Sequence, residues 1–245
     1  MSICIFLLGT TIPSANAQKG MKWQLSEDVF IERIDEDIWR HVSHKTYQGG
    51  GPVPSNGLIV RSGAEALLVD TAFNNEQTGL ILDWIGKELK ARTIMAVITH
   101  HHEDRLGGIH EVHKRGIRTL ASAITVRLAK QKGLEPPEEV FDKSIDLNLG
   151  NRVVQAIYPG PGHAIDNIVV WIPDRKILFG GCLIKSAQAE DLGNTKDADM
   201  KQWPGTVEAV YKQFGQARMV VPGHGDVGGL NALTRTLELL KKAER

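Results

Sequence analysis

The chain has 245 residues, 42% hydrophobic and 24% charged, a globular composition with enough apolar material for one sizeable core. Lys plus Arg total 29 and Asp plus Glu total 29, giving a formal net charge of zero. That balance leaves no charge excess with which to bind nucleic acid or an anionic membrane.

The first eighteen residues read MSICIFLLGTTIPSANAQ. An apolar run from Ile3 to Leu8 is followed by small residues ending in Ala15-Asn16-Ala17, an A-x-A cleavage pattern. Residues 1–17 are therefore expected to be a secretory signal peptide, leaving one domain over 18–245. The segment lacks a basic leader, and a buried N-terminal strand is the alternative. It is too short to span a bilayer. Cleavage would remove Cys4 and leave Cys182 as the single cysteine of the mature chain, either an inert buried thiol or a working one.

From Lys22 onwards, strand and helix signals alternate. The stretch 43–55, SHKTYQGGGPVPS, carries three consecutive glycines between strand-like flanks. It reads either as a long hairpin tip or as a mobile flap over a site. Residues 56–73 read as a hairpin turning at Ser62-Gly63. Residues 77–91 place Leu80, Ile81, Trp84, Ile85 and Leu89 on one helical stripe. TIMAVITH is a buried strand. In SAITVRLAKQKG, Ser122 is the expected N-cap and Gly133 lies just past the helix end. The second half repeats the pattern, with strands in SIDLNLGNRVVQAIYPG, NIVVWIPDRKILFGG and ARMVVPGH, and helices in PGTVEAVYKQFG and LNALTRTLELLKKA. This interleaving predicts a layered α/β (α+β) domain of packed sheets with helices outside.

The chemistry concentrates in ITHHHEDRLGG, residues 98–108. In an extended chain His100, His102 and Asp104 point the same way and offer two imidazoles and a carboxylate to one cavity. Three more donors follow strands or lie in glycine-rich turns: His163 in PGPGHAIDN, Cys182 in LFGGCLIKS and His224 in MVVPGHGD. Each is weak alone, but placed at corresponding strand ends they share one sheet edge. Six such ligands are three for each of two zinc ions, with the open coordination positions that catalytic zinc requires. His41, His44, His110 and His113 lack such a setting and are read as surface or core residues.

The order H-x-H-x-D-R, then His, Cys and His, resembles the metallo-β-lactamase superfamily. More narrowly, it resembles the class B, di-zinc, cysteine-containing subclass, over about residue 23 to the C-terminus. NGLIV, LLVDTA, GPGHAIDN, GGCLIKS, LGN and PGHG support the likeness. The resemblance implies an αββα sandwich of two mixed β-sheets with outer helices, export to the periplasm and a monomeric hydrolase. The substrates implied are β-lactam antibiotics (penicillins, cephalosporins and carbapenems), so that the enzyme would confer resistance. It assigns His100, His102 and His163 to a first zinc, and Asp104, Cys182 and His224 to a second. Lys185 would anchor the substrate carboxylate, and Asn194 would help polarise the lactam carbonyl. Asp104 would orient the attacking water. Asp70 and Arg105 would support the ligands from behind, and the 43–55 loop would be the flap. Phe73 stands where many relatives carry Trp, which bears on substrate spectrum and not on the chemistry.

Two rivals stay open. A glyoxalase II-like thioesterase would carry histidine where Arg105 stands and would lack the cysteine. A zinc-buffering protein without catalysis would leave Lys185, Asn194 and the glycine-rich loop idle.

Overall fold

The computed structural model describes residues 20–244; the expected signal peptide lies outside them. One sheet has eight strands in chain order: β1 (Lys22–Ser26), β2 (Val29–Asp35), β3 (Ile38–Thr46), β4 (Pro52–Ser62), β5 (Glu65–Val69), β6 (Arg92–Ile98), β7 (Arg118–Ser122) and β8 (Glu139–Phe141). Neighbours from β1 to β5 are antiparallel, and those from β5 to β8 are parallel. The second sheet has five strands: β9 (Ser144–Leu149), β10 (Arg152–Ile157), β11 (Val169–Ile172), β12 (Ile177–Gly181) and β13 (Met219–Pro222). There β12 and β13 run parallel and the other pairs antiparallel.

Parallel neighbours need crossovers, and helices supply them. In the first sheet these are α1 (Asn75–Glu88), α2 (Glu103–Leu106), α3 (Ile109–Lys114) and α4 (Ala123–Gln131). In the second, α5 (Trp203–Phe214) joins β12 to β13, and α6 (Asn231–Ala243) follows. Asn74 caps α1 by accepting from the Gln77 N–H at 2.9 Å, so the helix starts two residues before the Gln77 expected from the apolar stripe. Ser122 caps α4 as expected, accepting from the Thr125 N–H at 3.1 Å.

The two-residue period of a strand builds the layers. Leu58 and Val60 of β4 and Leu67 and Val69 of β5 turn into the core between the sheets. Their neighbours Ile59, Ala66 and Leu68 pack on the opposite face against Ile81, Trp84 and Ile85 of α1. The second sheet does the same. Val170, Ile172, Phe179 and Val221 face inward, while Val169, Trp171, Leu178 and Val220 meet Trp203, Val207 and Val210 of α5 and Leu233 and Leu240 of α6. Each such side chain taken out of water contributes roughly 1.5–3 kcal/mol. Strands covered on both faces are therefore apolar throughout, which is why they read as continuous runs in the sequence. The result is the αββα sandwich.

The 43–55 stretch is a hairpin. β3 and β4 pair from Ile38↔Val60 out to Thr46↔Pro52, leaving residues 47–51 exposed at the tip. β5 joins β4 only from Leu58 onward. The outer part is thus a two-stranded ribbon, where Pro52 and Pro54 deprive no third strand of an N–H.

His41 belongs to the core. Its Nε2 lies 3.2 Å from the carbonyls of both Val69 and Asp70. It also fills the space above Gly57, where a Cβ would stand 2.0 Å from that nitrogen. Burial pushes the His41 pKa down to about 4. Unfolded histidine takes up a proton near pH 6.5, whereas the folded ring stays neutral until about pH 4. The unfolded state therefore binds more protons in that window, and stability falls as the pH drops through it. Between pH 7 and pH 4 the loss from this residue is on the order of 3 kcal/mol. In metal-stripped protein, the stability advantage of wild type over His41→Gln should shrink by that order across the window. A difference that stays constant with pH, measured by chemical denaturation, would contradict it.

Candidate metal centre

The C-terminal ends of β5, β6, β12 and β13 meet at one edge of the sandwich. β6 ends at Ile98, and Thr99 is held there by Asp70, whose carboxylate accepts from the Thr99 N–H at 2.7 Å and its hydroxyl at 2.9 Å. Asp70 itself takes a left-handed backbone, φ +62°, which turns the chain sharply out of β5. From this fixed point His100 and His102 project into one space. His163 enters from the loop after β10. That loop is locked by Asn167, which accepts from the Ala164 N–H at 3.0 Å and donates to the Gly160 carbonyl at 3.0 Å.

The three imidazoles present their nitrogens to one point. Nδ1 of His102 lies 3.1 Å from Nε2 of His100 and 3.2 Å from Nε2 of His163. Two nitrogens bound about 2.0–2.1 Å from one tetrahedral ion stand about 3.3 Å apart, so the set fits zinc. Burial lowers the pKa of all three rings, with Lys185 adding to the effect at His163. They are neutral at pH 7 and have lone pairs to give.

A second group forms beside the first. Asp104 lies in the first turn of α2, Cys182 follows β12 and His224 follows β13. Cys182 Sγ stands 3.2 Å from His224 Nε2 and 3.6 Å from Asp104 Oδ2, and those last two atoms are 3.3 Å apart. Gly223 makes the approach possible, since a Cβ there would lie 2.7 Å from the sulfur. Burial would raise the Asp104 pKa, but Arg105 and His224 overcome it and hold the carboxyl well below its usual range. Burial would lower the His224 pKa, but the charges of Cys182 and Asp104 raise it to about 10. This pocket demands a cation, which is a proton on His224 in the metal-free protein. A carboxylate, a thiol and an imidazole are also a zinc donor set.

Arg105 lies fully buried behind the second group. Its guanidinium donates to Cys182 Sγ at 3.0 Å, to the Gly223 carbonyl at 2.9 Å and to the Asn56 carbonyl. It pairs with Asp104 at 2.8 Å and Asp70 at 3.3 Å. Asp70 and Arg105 thus lie side by side behind Asp104 and Cys182.

Lys185 is nine-tenths buried, with its Nζ 5.3 Å from the centroid of the Trp203 ring, itself 5.8 Å from His163. Burial lowers its pKa against the opposing pull of Cys182 and Asp104. Asn194 is not brought to the donors. It is exposed, and its side-chain carbonyl accepts from the Lys196 N–H at 3.1 Å.

Several supporting residues went unread in the sequence. Asp197, in the same LGNTKDAD stretch as Asn194, reaches His102 Nε2 at 2.9 Å and Lys132 Nζ at 3.0 Å. Those two partners hold its carboxyl down at about 2. The fully buried Asp166 clamps His101 twice, at its backbone N–H (2.9 Å) and its Nδ1 (3.0 Å). The Pro54 carbonyl backs His224 Nδ1, and Ser55 Oγ donates to the Asp104 carbonyl at 3.0 Å. His110 and His113 share Glu135 at the surface, away from the donors.

A carboxylate behind a ligand imidazole fixes its tautomer and raises its basicity, and losing one typically costs about 10–100-fold in metal affinity. Asp197→Ala should weaken the histidine triad's hold on zinc by that factor, in competition with a chromophoric chelator. Unchanged affinity would remove Asp197 from the site.

The chain is similar to known proteins over most of its length. Residues 50–224 match the model of the metallo-β-lactamase superfamily. A type 2 metallo-β-lactamase of Bacteroides fragilis is 39% identical over 99% of this chain and 97% of its own. A metallo-β-lactamase from Pontibacter korlensis superposes with a TM-score of 0.85 at 40% identity, covering 87% of this chain and 99% of its own. The FIM-1 metallo-β-lactamase from Pseudomonas aeruginosa, solved in a mono-zinc form, gives 0.83 at 40% identity over 90% of this chain and 99% of its own. With its donors at one edge of an αββα sandwich and relatives matched over nearly its whole length, the chain belongs to the metallo-β-lactamase superfamily.

Proposed function

We propose that the chain is a periplasmic, monomeric β-lactamase that holds two zinc ions, one in each triad. It adds water across the lactam C–N bond of penicillins, cephalosporins and carbapenems, and so confers resistance. The relatives named metallo-β-lactamase support the reaction. The observation that carries the two-ion reading is the pair of adjoining donor groups, three neutral imidazoles beside an Asp–Cys–His set. Export and cleavage after Ala17 rest on the A-x-A pattern.

Zinc so held makes hydroxide available near neutral pH and polarises a carbonyl. The protein's own groups do the rest. His100, His102 and His163 hold the first ion, and Asp104, Cys182 and His224 the second. Arg105 keeps Asp104 ionised, and that carboxylate accepts a hydrogen bond from the attacking water and orients it. Lys185, set between Trp203 and the donors, attracts the carboxylate carried by β-lactams. Asn194 serves the lactam carbonyl on giving up its bond to the Lys196 N–H. No serine nucleophile is required.

Purified enzyme should hydrolyse a chromogenic cephalosporin, lose the activity to a chelator and regain it with zinc. A zinc-binding protein without catalysis would show no turnover in either state, and a thioesterase would turn over thioesters instead.

Cys182→Ser should keep the fold and the first zinc but bind close to one zinc per chain at limiting metal, because a hydroxyl stays protonated at neutral pH and is a poor ligand. Two tightly held zincs with full activity in this variant would refute the second site. Lys185→Ala should leave metal content intact and act mainly on KM. A charge-assisted hydrogen bond in a partly dry cleft is worth about 1.5–3 kcal/mol, or roughly 10- to 150-fold. An unchanged KM across several carboxylate-bearing substrates would exclude Lys185 from binding.

A further inference from the structure

Glu103 stands between two ligands, His102 and Asp104, at the first position of α2. Its side chain leaves the metal centre and meets Lys45 Nζ at 2.5 Å. Lys45 lies on β3, two residues before Tyr47 at the hairpin tip, and its Nζ is 5.1 Å from the centroid of the Tyr47 ring. Further in, the hairpin is tied by the Gln77 side chain donating to the His44 carbonyl at 2.8 Å and by the Pro54 carbonyl at His224.

Beyond these ties the tip rests on little. A Cβ added at Gly49 or Gly51 would meet nothing within 4 Å, and one at Gly50 only the Tyr47 carbonyl. Among the described residues, Lys45–Glu103 is the outermost hydrogen bond or ion pair joining the hairpin to the rest of the molecule. Tyr47 and Val53 present exposed apolar surface beside it, at 45% and 37%.

We infer that the Lys45–Glu103 ion pair is a latch that positions the hairpin tip beside the metal centre and thereby tunes the affinity for substrate. The inference rests on the β-lactamase reading for its substrates. A latch of this kind is weak by construction. Both side chains are partly solvated, at 36% and 51%, and a pair so placed shifts an equilibrium by only a few-fold. Salt screens it. It biases the hairpin toward the site without preventing opening, and it connects that bias to the helix carrying Asp104. Both residues are positioning groups and touch no reacting atom.

The test compares zinc-loaded wild type with Lys45→Gln, Glu103→Gln and the exchange Lys45→Glu/Glu103→Lys. Amide hydrogen exchange over residues 45–53 reads the hairpin directly. Steady-state kinetics with cephalosporins of small and large side chain read its consequence. Each single variant should speed exchange at the tip and raise KM about threefold, with kcat within about twofold and zinc content unchanged. The charge exchange should restore both readouts. High salt should raise the wild-type KM by a larger factor than that of the single variants and so close the gap between them. If Glu103→Gln also loses zinc, Lys45→Gln decides the matter, because Lys45 contacts no ligand. Exchange and KM equal to wild type in Lys45→Gln, or a charge exchange no better than the single variants, would overturn the latch. If the protein hydrolyses no β-lactam, the functional reading fails while hydrogen exchange still decides whether the pair holds the hairpin.

Discussion

A single buried cation, the guanidinium of Arg105, gathers the strand ends on which the site is built. It bonds the Asn56 carbonyl on β4, Asp70 after β5, Cys182 after β12 and Gly223 after β13, and it pairs with its own neighbour Asp104. An ionised group without partners in this setting would be strongly destabilising, so each contact is also a demand on the surrounding loops. Only the planar fork of arginine can serve so many directions at once; a lysine ammonium would satisfy fewer and could not span them. Asn56 completes the stitching by donating its side-chain amide to the carbonyls of Pro222 and Gly225, on either side of His224. The second donor set is therefore held in place by bonds that do not involve a metal.

The two donor groups differ in charge, and burial explains how. The histidine triad is neutral because a desolvated imidazole sheds its proton. Its order comes from second partners, Thr99 beside His100 and Asp197 behind His102. The Asp–Cys–His group instead keeps an ionised carboxylate, Asp104, between the guanidinium of Arg105 and the imidazole of His224. One edge of the sandwich thus offers a nitrogen-only group and a mixed nitrogen, oxygen and sulfur group that share a wall, since His102 caps α2 and Asp104 stands two residues on in its first turn.

Much of this was legible in the sequence, because the same physics writes both. Strands buried on both faces leave unbroken apolar runs such as IVVWI and MVVP. A donor placed right after such a run, next to glycines that allow close approach, marks a strand end. That logic singled out the six residues that the structure gathers into two groups, and the resemblance named Asp70 and Arg105, which lie behind the second. What it could not supply were contacts made across the fold. His101 is one of three adjacent histidines, and nothing local says that it turns inward to Asp166, 65 positions away. Asp197 and Asn194 lie in one polar stretch, and only the path of the loop shows that Asp197 meets His102 while Asn194 bonds back to the chain at Lys196. The glycine-rich segment was ambiguous for a related reason. Its composition suits a plain hairpin tip or a flap, and the Lys45–Glu103 contact depends on where β3 ends relative to α2.

We propose that this edge holds two metal ions of unlike coordination, with Cys182 bound to one of them. Cobalt titration of the metal-stripped protein examines it most directly, because a thiolate bound to Co²⁺ gives an intense near-ultraviolet charge-transfer band that nitrogen and oxygen ligands do not. The visible cobalt bands should saturate at two equivalents per chain, with the sulfur band accompanying one of the two. Saturation at a single equivalent, or two equivalents without a sulfur band, would contradict it.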